Sequence, residues 1–79
     1  MPRFYFHLRD DLDARDEEGV ELPDAQSARA YAVTNARDIM SGTLKREGRI
    51  SLWHRIDVED EHGALVMAVP FSTSVKIES

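Results

Sequence analysis

The chain of 79 residues contains no cysteine, which excludes disulfide bonds and zinc sites built on thiolates. Long apolar segments are missing too, because the longest run, Ala64 to Val69, is far too short to cross a bilayer. The N-terminal residues also lack the apolar stretch and the small-residue cleavage site of a signal peptide. We therefore expect a cytoplasmic protein that makes no use of a membrane.

Sequence motifs for catalysis and for cofactor binding are absent as well. The four glycines form no phosphate-binding loop, and the serines lie in no strand–turn–helix elbow. The sequence thus predicts no enzymatic activity, no catalytic residues and no cofactor. At this length we expect one domain over residues 1–79, near the lower limit of what folds unaided, with residues 72–79 as a loose tail or a strand extension.

The net charge of −5 is unevenly distributed. Residues 10–24 hold eight acids and one base, Arg15, which is a local net charge of −7, so the rest of the chain carries +2. Nucleic-acid affinity depends mainly on cations that neutralise phosphates, so this balance argues against a nucleic-acid partner. A small basic group at Lys45, Arg46 and Arg49 leaves nucleic-acid binding as a minor hypothesis.

Alternation of apolar and polar residues predicts about four strands. Phe4, Phe6 and Leu8 share one face of the first strand. Residues 19–22 form a short second strand, which ends at Pro23 because proline has no N–H to donate. Residues 50–59 and 64–71 alternate again and form a hairpin. The turns at residues 16–19 and 60–63 resemble each other, since each places aspartate three residues before a glycine.

A helix separates the two strand pairs. Asp24 is the predicted N-cap, and small residues at positions 28, 32 and 36 recur at helical spacing up to about Arg46. The helix ends at either Gly42 or Gly48. We predict an α+β fold in the order β-β-α-β-β, a small antiparallel sheet with one helix packed on one face.

One helix covers only one side of a sheet, so the opposite side stays free. Two large aromatic residues and an arginine are predicted on this free face, and these types are enriched at the centres of protein interfaces. A small core without covalent support also favours self-association. We predict a non-enzymatic interaction module that forms a homodimer or binds an unidentified protein partner. The predicted interface residues are Tyr5, His7, Trp53, Arg55, Val66 and Ala68.

The acidic segment supplies an alternative function, a cation-responsive or catalytic small domain. Asp11, Asp13 and Glu17 have part of the rhythm of a calcium loop, but Arg15 occupies a ligand position and no closing glutamate follows in frame. We therefore predict no metal site and interpret the segment as a strand-to-helix junction. Four of its acids are expected to have no structural role, with solvation accounting for most of them, namely Asp16, Glu17, Glu18 and Glu21.

The three histidines are predicted to lie apart. His7 belongs to the free face, His54 to the face that points to the core, and His62 to a turn. A metal or catalytic site needs several such groups to converge. The histidines therefore predict no metal or catalytic site.

The opening MPRFYFH, the block DEEGVELPD at residues 16–24 and the later DVEDEHGALVMAVPF resemble a family of short bacterial proteins, mainly alphaproteobacterial, classed as a domain of unknown function. The resemblance covers nearly the whole chain and implies no activity. A shorter match, Leu22-Pro-Asp24 through Ala28, is similar to the strand-to-helix junction of antitoxin-like domains. It implies an antitoxin-like regulatory domain as a further alternative.

Overall fold

The computed structural model describes residues 1–78 and confirms the predicted α+β order. The elements are β1 (Arg3–Arg9), β2 (Val20–Glu21), α1 (Ala25–Glu47), β3 (Arg55–Glu59), β4 (Leu65–Pro70) and a 3₁₀ turn (Phe71–Thr73). Within these residues, the strands form one antiparallel sheet in the order β2-β1-β3-β4. β1 and β3 are therefore central, and β4 lies at an outer edge.

The ends of α1 follow from its capping residues. The Asp24 carboxylate accepts a hydrogen bond from the Ser27 amide at 2.8 Å, as expected of an N-cap. At the other end Gly48 adopts φ 69°, and its amide donates to the Leu44 carbonyl at 2.9 Å. Only a residue that tolerates the left-handed conformation closes a helix in this way. The helix thus ends at Gly48 and passes through Gly42.

Small side chains on α1 bring the helix close to the sheet. Ala28, Ala32 and Ala36 have no exposed surface, which confirms the alanine stripe predicted from the sequence. The bulk of the core comes from the strands instead, since each strand points alternate side chains at the helix. The buried core consists of Phe4, Phe6, Ala28, Ala32, Ala36, Met40, Ile56, Val58, Val69 and Phe71.

The third strand is shorter than predicted. β1 ends at Arg9 and β4 ends at Pro70, and both of these residues pair with Arg55, the first residue of β3. Residues 50–54 have no strand partner within the described chain, so they turn away despite their alternating pattern. Trp53 consequently lies in a turn rather than in the sheet, which corrects its predicted position.

The outer side of β4 leaves backbone groups unpaired. The Phe71 amide donates to the His54 carbonyl at 2.9 Å, and bonded pairs alternate with non-bonded pairs along an antiparallel ladder. Ala68 and Pro70 therefore direct their backbone groups outward, and the missing N–H of Pro70 removes no bond to β3. The register shifts by one residue at Val66, which is a bulge on this strand.

The segment after β4 packs against α1. The Arg37 guanidinium donates to the Ser74 carbonyl at 2.7 Å, and the Ser74 hydroxyl donates to the Pro70 carbonyl at 3.0 Å. Residues 72–78 contain no strand, and Ser79 lies outside the described residues. Among residues 1–78, no helix has the length and apolar character needed to cross a membrane.

Candidate functional site

The loop between β1 and β2 seals the outer edge of β1. Leu8 and Ala14 exchange two backbone hydrogen bonds of 2.9 and 2.8 Å. Two residues earlier in β1, the Asp16 carboxylate accepts the Phe6 amide at 3.1 Å. A side-chain oxygen thus takes the place of a strand carbonyl, because β2 is only two residues long and reaches no further than Phe4.

Asp16 organises this loop. Its second oxygen accepts the amides of Glu18 and Gly19, both at 3.1 Å. Burial by itself raises the pKa of Asp16, but the hydrogen bonds from the amides of Gly19, Phe6 and Glu18 outweigh it, and the net effect is a pKa below the usual range. The expectation that Asp16 has no structural role is therefore wrong.

Glu21 also has a partner, whereas the Glu18 side chain is exposed as expected and only its backbone carbonyl is contacted. The Arg3 guanidinium donates to the Glu18 carbonyl at 2.7 Å and pairs with the Glu21 carboxylate at 3.2 Å. Both contacts are exposed, and exposed pairs contribute little to stability. Their effect is to place β2 and the loop beside β1.

His7 lies beneath the loop and connects it to β3. The residue is 1% exposed although it points away from the helix. Its Nδ1 accepts the Asp16 amide at 3.0 Å, and its Nε2 lies 3.0 Å from Oε1 of Glu59. Since Nδ1 accepts, the proton is on Nε2, and that N–H donates to Glu59. The geometry therefore selects one neutral tautomer of His7.

A cleft of about 340 Å³ opens above Tyr5 and His7. The two turns that resemble each other in sequence form its walls, so the repeated turn brings two acidic segments together. In the second turn, the Asp60 carboxylate accepts the amides of His62 and Ala64 at 2.8 and 3.0 Å. The cleft is lined by Tyr5, His7, Arg15, Asp16, Glu17, Glu59, Asp60, Glu61 and Gly63.

The cleft has a negative electrostatic character. Five carboxylates face one guanidinium, that of Arg15, whose Nη2 lies 3.9 Å from Glu59. Hydrogen bonds from the amides of Ala64 and His62 lower the pKa of Asp60, so it stays ionised well below neutral pH. Even so, the described residues contain no group of three or more histidine or carboxylate side chains placed to hold a metal ion.

A second polar cluster lies on the same face of the sheet at the other end. The Asp57 carboxylate accepts hydrogen bonds from Nε of Arg9 and from Nε of Arg55, each at 2.9 Å. Burial raises the pKa of Asp57, but the hydrogen bonds from both guanidinium groups lower it by more, so the net pKa is below the usual range. The cluster neutralises a buried carboxylate and ties β1 to β3.

The six predicted interface residues fall into three groups. Val66, Ala68 and Arg55 are exposed on the free side of β3 and β4. Trp53 is 64% exposed in the turn before β3, with its ring against His54 at a centroid distance of 4.3 Å. Tyr5 and His7 lie in the acidic cleft, where the loop covers His7. The exposed members therefore concentrate along the β3–β4 hairpin.

The other candidate groups stay separate. His7 lines the acidic cleft, His54 lines a second cleft of about 300 Å³, and His62 lines neither. In that second cleft the basic residues Arg46 and Arg49 lie among three acids, so their charges are compensated there. The acids are Asp10, Asp11 and Glu47.

Sequence reasoning did not identify the contacts that Asp16, Asp57 and Glu59 make. The D-x-x-G spacing before Gly19 is a signal for an aspartate that accepts turn amides. No local signal shows that the same carboxylate also reaches Phe6, or that Glu59 reaches His7 across 52 residues. These contacts depend on strand pairing.

The chain belongs to a family described as a domain of unknown function, DUF6894, whose family model matches residues 3–72. This confirms the resemblance to such a family. The matched segment contains β1 to β4, the helix and every residue that lines the acidic cleft. No curated protein and no solved structure matches the chain.

Proposed function

We propose that this member of the DUF6894 family is a small non-enzymatic interaction module that binds a second copy of itself through the β3–β4 side of its free sheet face. The observation that carries the proposal is the exposure of uncharged β4, in which Leu65 is 61% and Val66 is 38% exposed. No charged residue occurs between Glu61 and Lys76, apart from the titratable His62. An identical strand could approach without charge repulsion at the contact itself.

The contrast between the two sheet edges supports the same side. Natural sheets usually protect an edge with charge, proline, a bulge or a covering segment. At the β1 side, the loop and β2 occupy the edge groups as described above. At β4, only the bulge at Val66 and the proline at the strand end interrupt the edge, and Ala68 between them presents its N–H and C=O outward.

Trp53 and Arg55 extend this surface at one end. Trp53 is largely exposed, and tryptophan and arginine are the residue types that most often dominate interface energetics. Half of the Arg55 side chain remains exposed while its Nε binds Asp57. A partner copy would bury the indole and contact the remaining guanidinium nitrogens.

The test is the oligomeric state of matched lysine variants. Ala68→Lys places a charge on the exposed strand, and Ala30→Lys makes the same change on the exposed side of α1. We expect the wild type to form dimers by light scattering between about 1 μM and 1 mM, a range suited to a small interface. Ala68→Lys should shift the dimer midpoint at least about tenfold upward, and Ala30→Lys should not.

The salt dependence of the dimer and the substitution Trp53→Ala provide two further tests. Each copy carries −5, so screening by salt should strengthen an apolar contact between two copies. Trp53→Ala should weaken the dimer in the same direction as Ala68→Lys. A wild type that stays monomeric throughout, or a dimer that responds equally to both lysine variants, would contradict the proposal.

A further inference from the structure

We infer that residues 14–19 form a latch that closes on neutral His7 and opens when His7 takes up a proton. In the closed form, the Nδ1 lone pair of His7 accepts the Asp16 amide, while Nε2–H donates to Glu59. An imidazolium ring has two N–H donors and no acceptor. A proton on Nδ1 would therefore face the Asp16 N–H across a gap of 3.0 Å.

The closed form gives a protonated Nδ1 no other partner. His7 is 1% exposed, so water reaches the ring only when the loop moves. A buried donor without an acceptor costs the free energy of its lost hydration. Moving residues 14–19 outward exchanges the Asp16 contact for water and leaves the Nε2 contact with Glu59 intact.

Most charged groups around His7 keep the same positions in the closed and the open form of the loop. From the sheet, Glu59 and Asp57 of β3 and Arg9 and Tyr5 of β1 remain beside the ring whether the loop is closed or open. The turn after β3 adds the acids Asp60 and Glu61. These groups stabilise an imidazolium without distinguishing the closed loop from the open one.

The loop itself carries Arg15, Asp16 and Glu17 towards the cleft. The attraction between the Asp16 carboxylate and an imidazolium opposes opening. The Asp16 carboxylate is already bound by three amides. The Asp16 backbone N–H, in contrast, points at Nδ1 of His7 and cannot accept a hydrogen bond from a protonated ring. The balance therefore favours opening on protonation.

Few contacts hold the latch. Within residues 14–19, the side chains are exposed except for Asp16, and the nearby Leu12 is 91% exposed. Besides the Leu8–Ala14 pair and the contacts of Asp16, residues 14–19 are held by the exposed contact of Arg3 to the Glu18 carbonyl at 2.7 Å and by Arg15, which lies 3.9 Å from Glu59. The loop buries little apolar surface against the sheet. Segments held by a few hydrogen bonds open at low free-energy cost. Opening would uncover Tyr5 and His7, the two predicted interface residues that the closed form places in the cleft.

The sign of the pH effect follows from proton linkage. The open form binds one more proton than the closed form, so lower pH favours opening. Histidine is the side chain that ordinarily changes charge between pH 5 and 8. Linkage of one proton to opening raises the ratio of open to closed latch by at most about tenfold for each pH unit of acidification.

The experiment is hydrogen exchange of the Phe6 and Asp16 amides between pH 8 and about 5.5, corrected for intrinsic exchange rates. The matched variants are His7→Asn, whose side-chain oxygen can still accept near Nδ1 and does not titrate, and His62→Asn at an exposed turn. We expect protection to fall at least about tenfold in the wild type and in His62→Asn, and by less than about threefold in His7→Asn.

NMR chemical shifts of the His7 ring nitrogens in the wild type provide a measurement that does not depend on whether a variant folds. At pH 8 the proton of His7 should reside on Nε2, with Nδ1 in the accepting form. A proton on Nδ1 at pH 8, protection that does not change with pH, or the same loss in His7→Asn would overturn the inference. The measurements are repeated in the Ala68→Lys variant, which weakens the proposed interface, so their outcome does not depend on that interface.

Discussion

At the scale of single residues, Asp16 shows how one side chain can take over the role of a strand. β2 is too short to pair with all of β1, and a carboxylate with two oxygens supplies the acceptors that are missing. One oxygen binds the Phe6 amide and the other closes the turn at Gly19. Within the acidic segment, Asp16 therefore anchors the loop and Asp24 caps the helix, whereas the side chains of Glu17 and Glu18 are exposed.

Gly19 permits the close approach of this turn to β1. Gly19 has φ 70°, and a Cβ there would lie 2.8 Å from the Phe4 carbonyl oxygen and 2.9 Å from Cε1 of Tyr5. Gly63 has φ 81° but nothing within 4 Å of its Cβ position. We expect Gly63→Ala to lower the free energy of unfolding by about 1 kcal/mol and Gly19→Ala by about 3 kcal/mol, measured by urea denaturation. Equal losses would show that contact with β1 is unimportant.

At the scale of elements, the helix is made to fit a bulky sheet. Its buried stripe contains three alanines and Met40, whereas β1 and β3 contribute phenylalanine, isoleucine and valine to the same layer. The helix axis can approach the sheet because its contact side chains are small. Such a layer has little space for an enlarged helix residue, since protein interiors are close-packed.

A pair of leucine substitutions on α1 tests this packing. Ala32 is fully buried, whereas Ala30 is exposed on the same helix. We expect Ala32→Leu to lower the free energy of unfolding by about 2 kcal/mol through overpacking. Ala30→Leu has similar helix propensity and should change it by less than about 0.5 kcal/mol. Thermal and urea unfolding would check both, and a tolerant Ala32 would contradict the close helix–sheet contact.

At the scale of the whole molecule, two carboxylates link stability to pH. Asp57 and Asp16 each have a folded-state pKa below the usual range. Their contribution is therefore present above the unfolded-state pKa near 4 and is lost as pH falls through the lower folded-state pKa. The protein should resist mild acid and unfold cooperatively only below about pH 4.

Asp57→Asn tests this dependence. The amide retains one acceptor oxygen but carries no charge, so both arginines lose their charged partner and one of them also loses its hydrogen-bond acceptor. We expect a loss of about 2 kcal/mol at pH 7. The stability of the variant should also change less between pH 5 and 2 than that of the wild type. Asp38→Asn on exposed α1 is the control. Denaturant unfolding as a function of pH gives both quantities, and parallel curves for wild type and Asp57→Asn would contradict the linkage.

The local pattern of the chain was sufficient for the order of its elements. Alternation predicted β1 and β4, helical spacing predicted the alanine stripe, and the glycine at position 48 could be named as one of two helix ends. These features depend on a residue and its near neighbours. The same pattern predicted five extra residues at the start of β3, because alternation does not show whether a partner strand is present.

The sequence by itself therefore determined which side chains are apolar, where turns occur and how the chain alternates between strand and helix. The tertiary structure decided that β3 begins at Arg55 and that Trp53 therefore lies outside the sheet. It also decided that Asp16 binds β1 and that His7 is buried. The physical reason is that these outcomes depend on hydrogen bonds between distant parts of the chain. Glu59 meets His7 only because β3 pairs with β1.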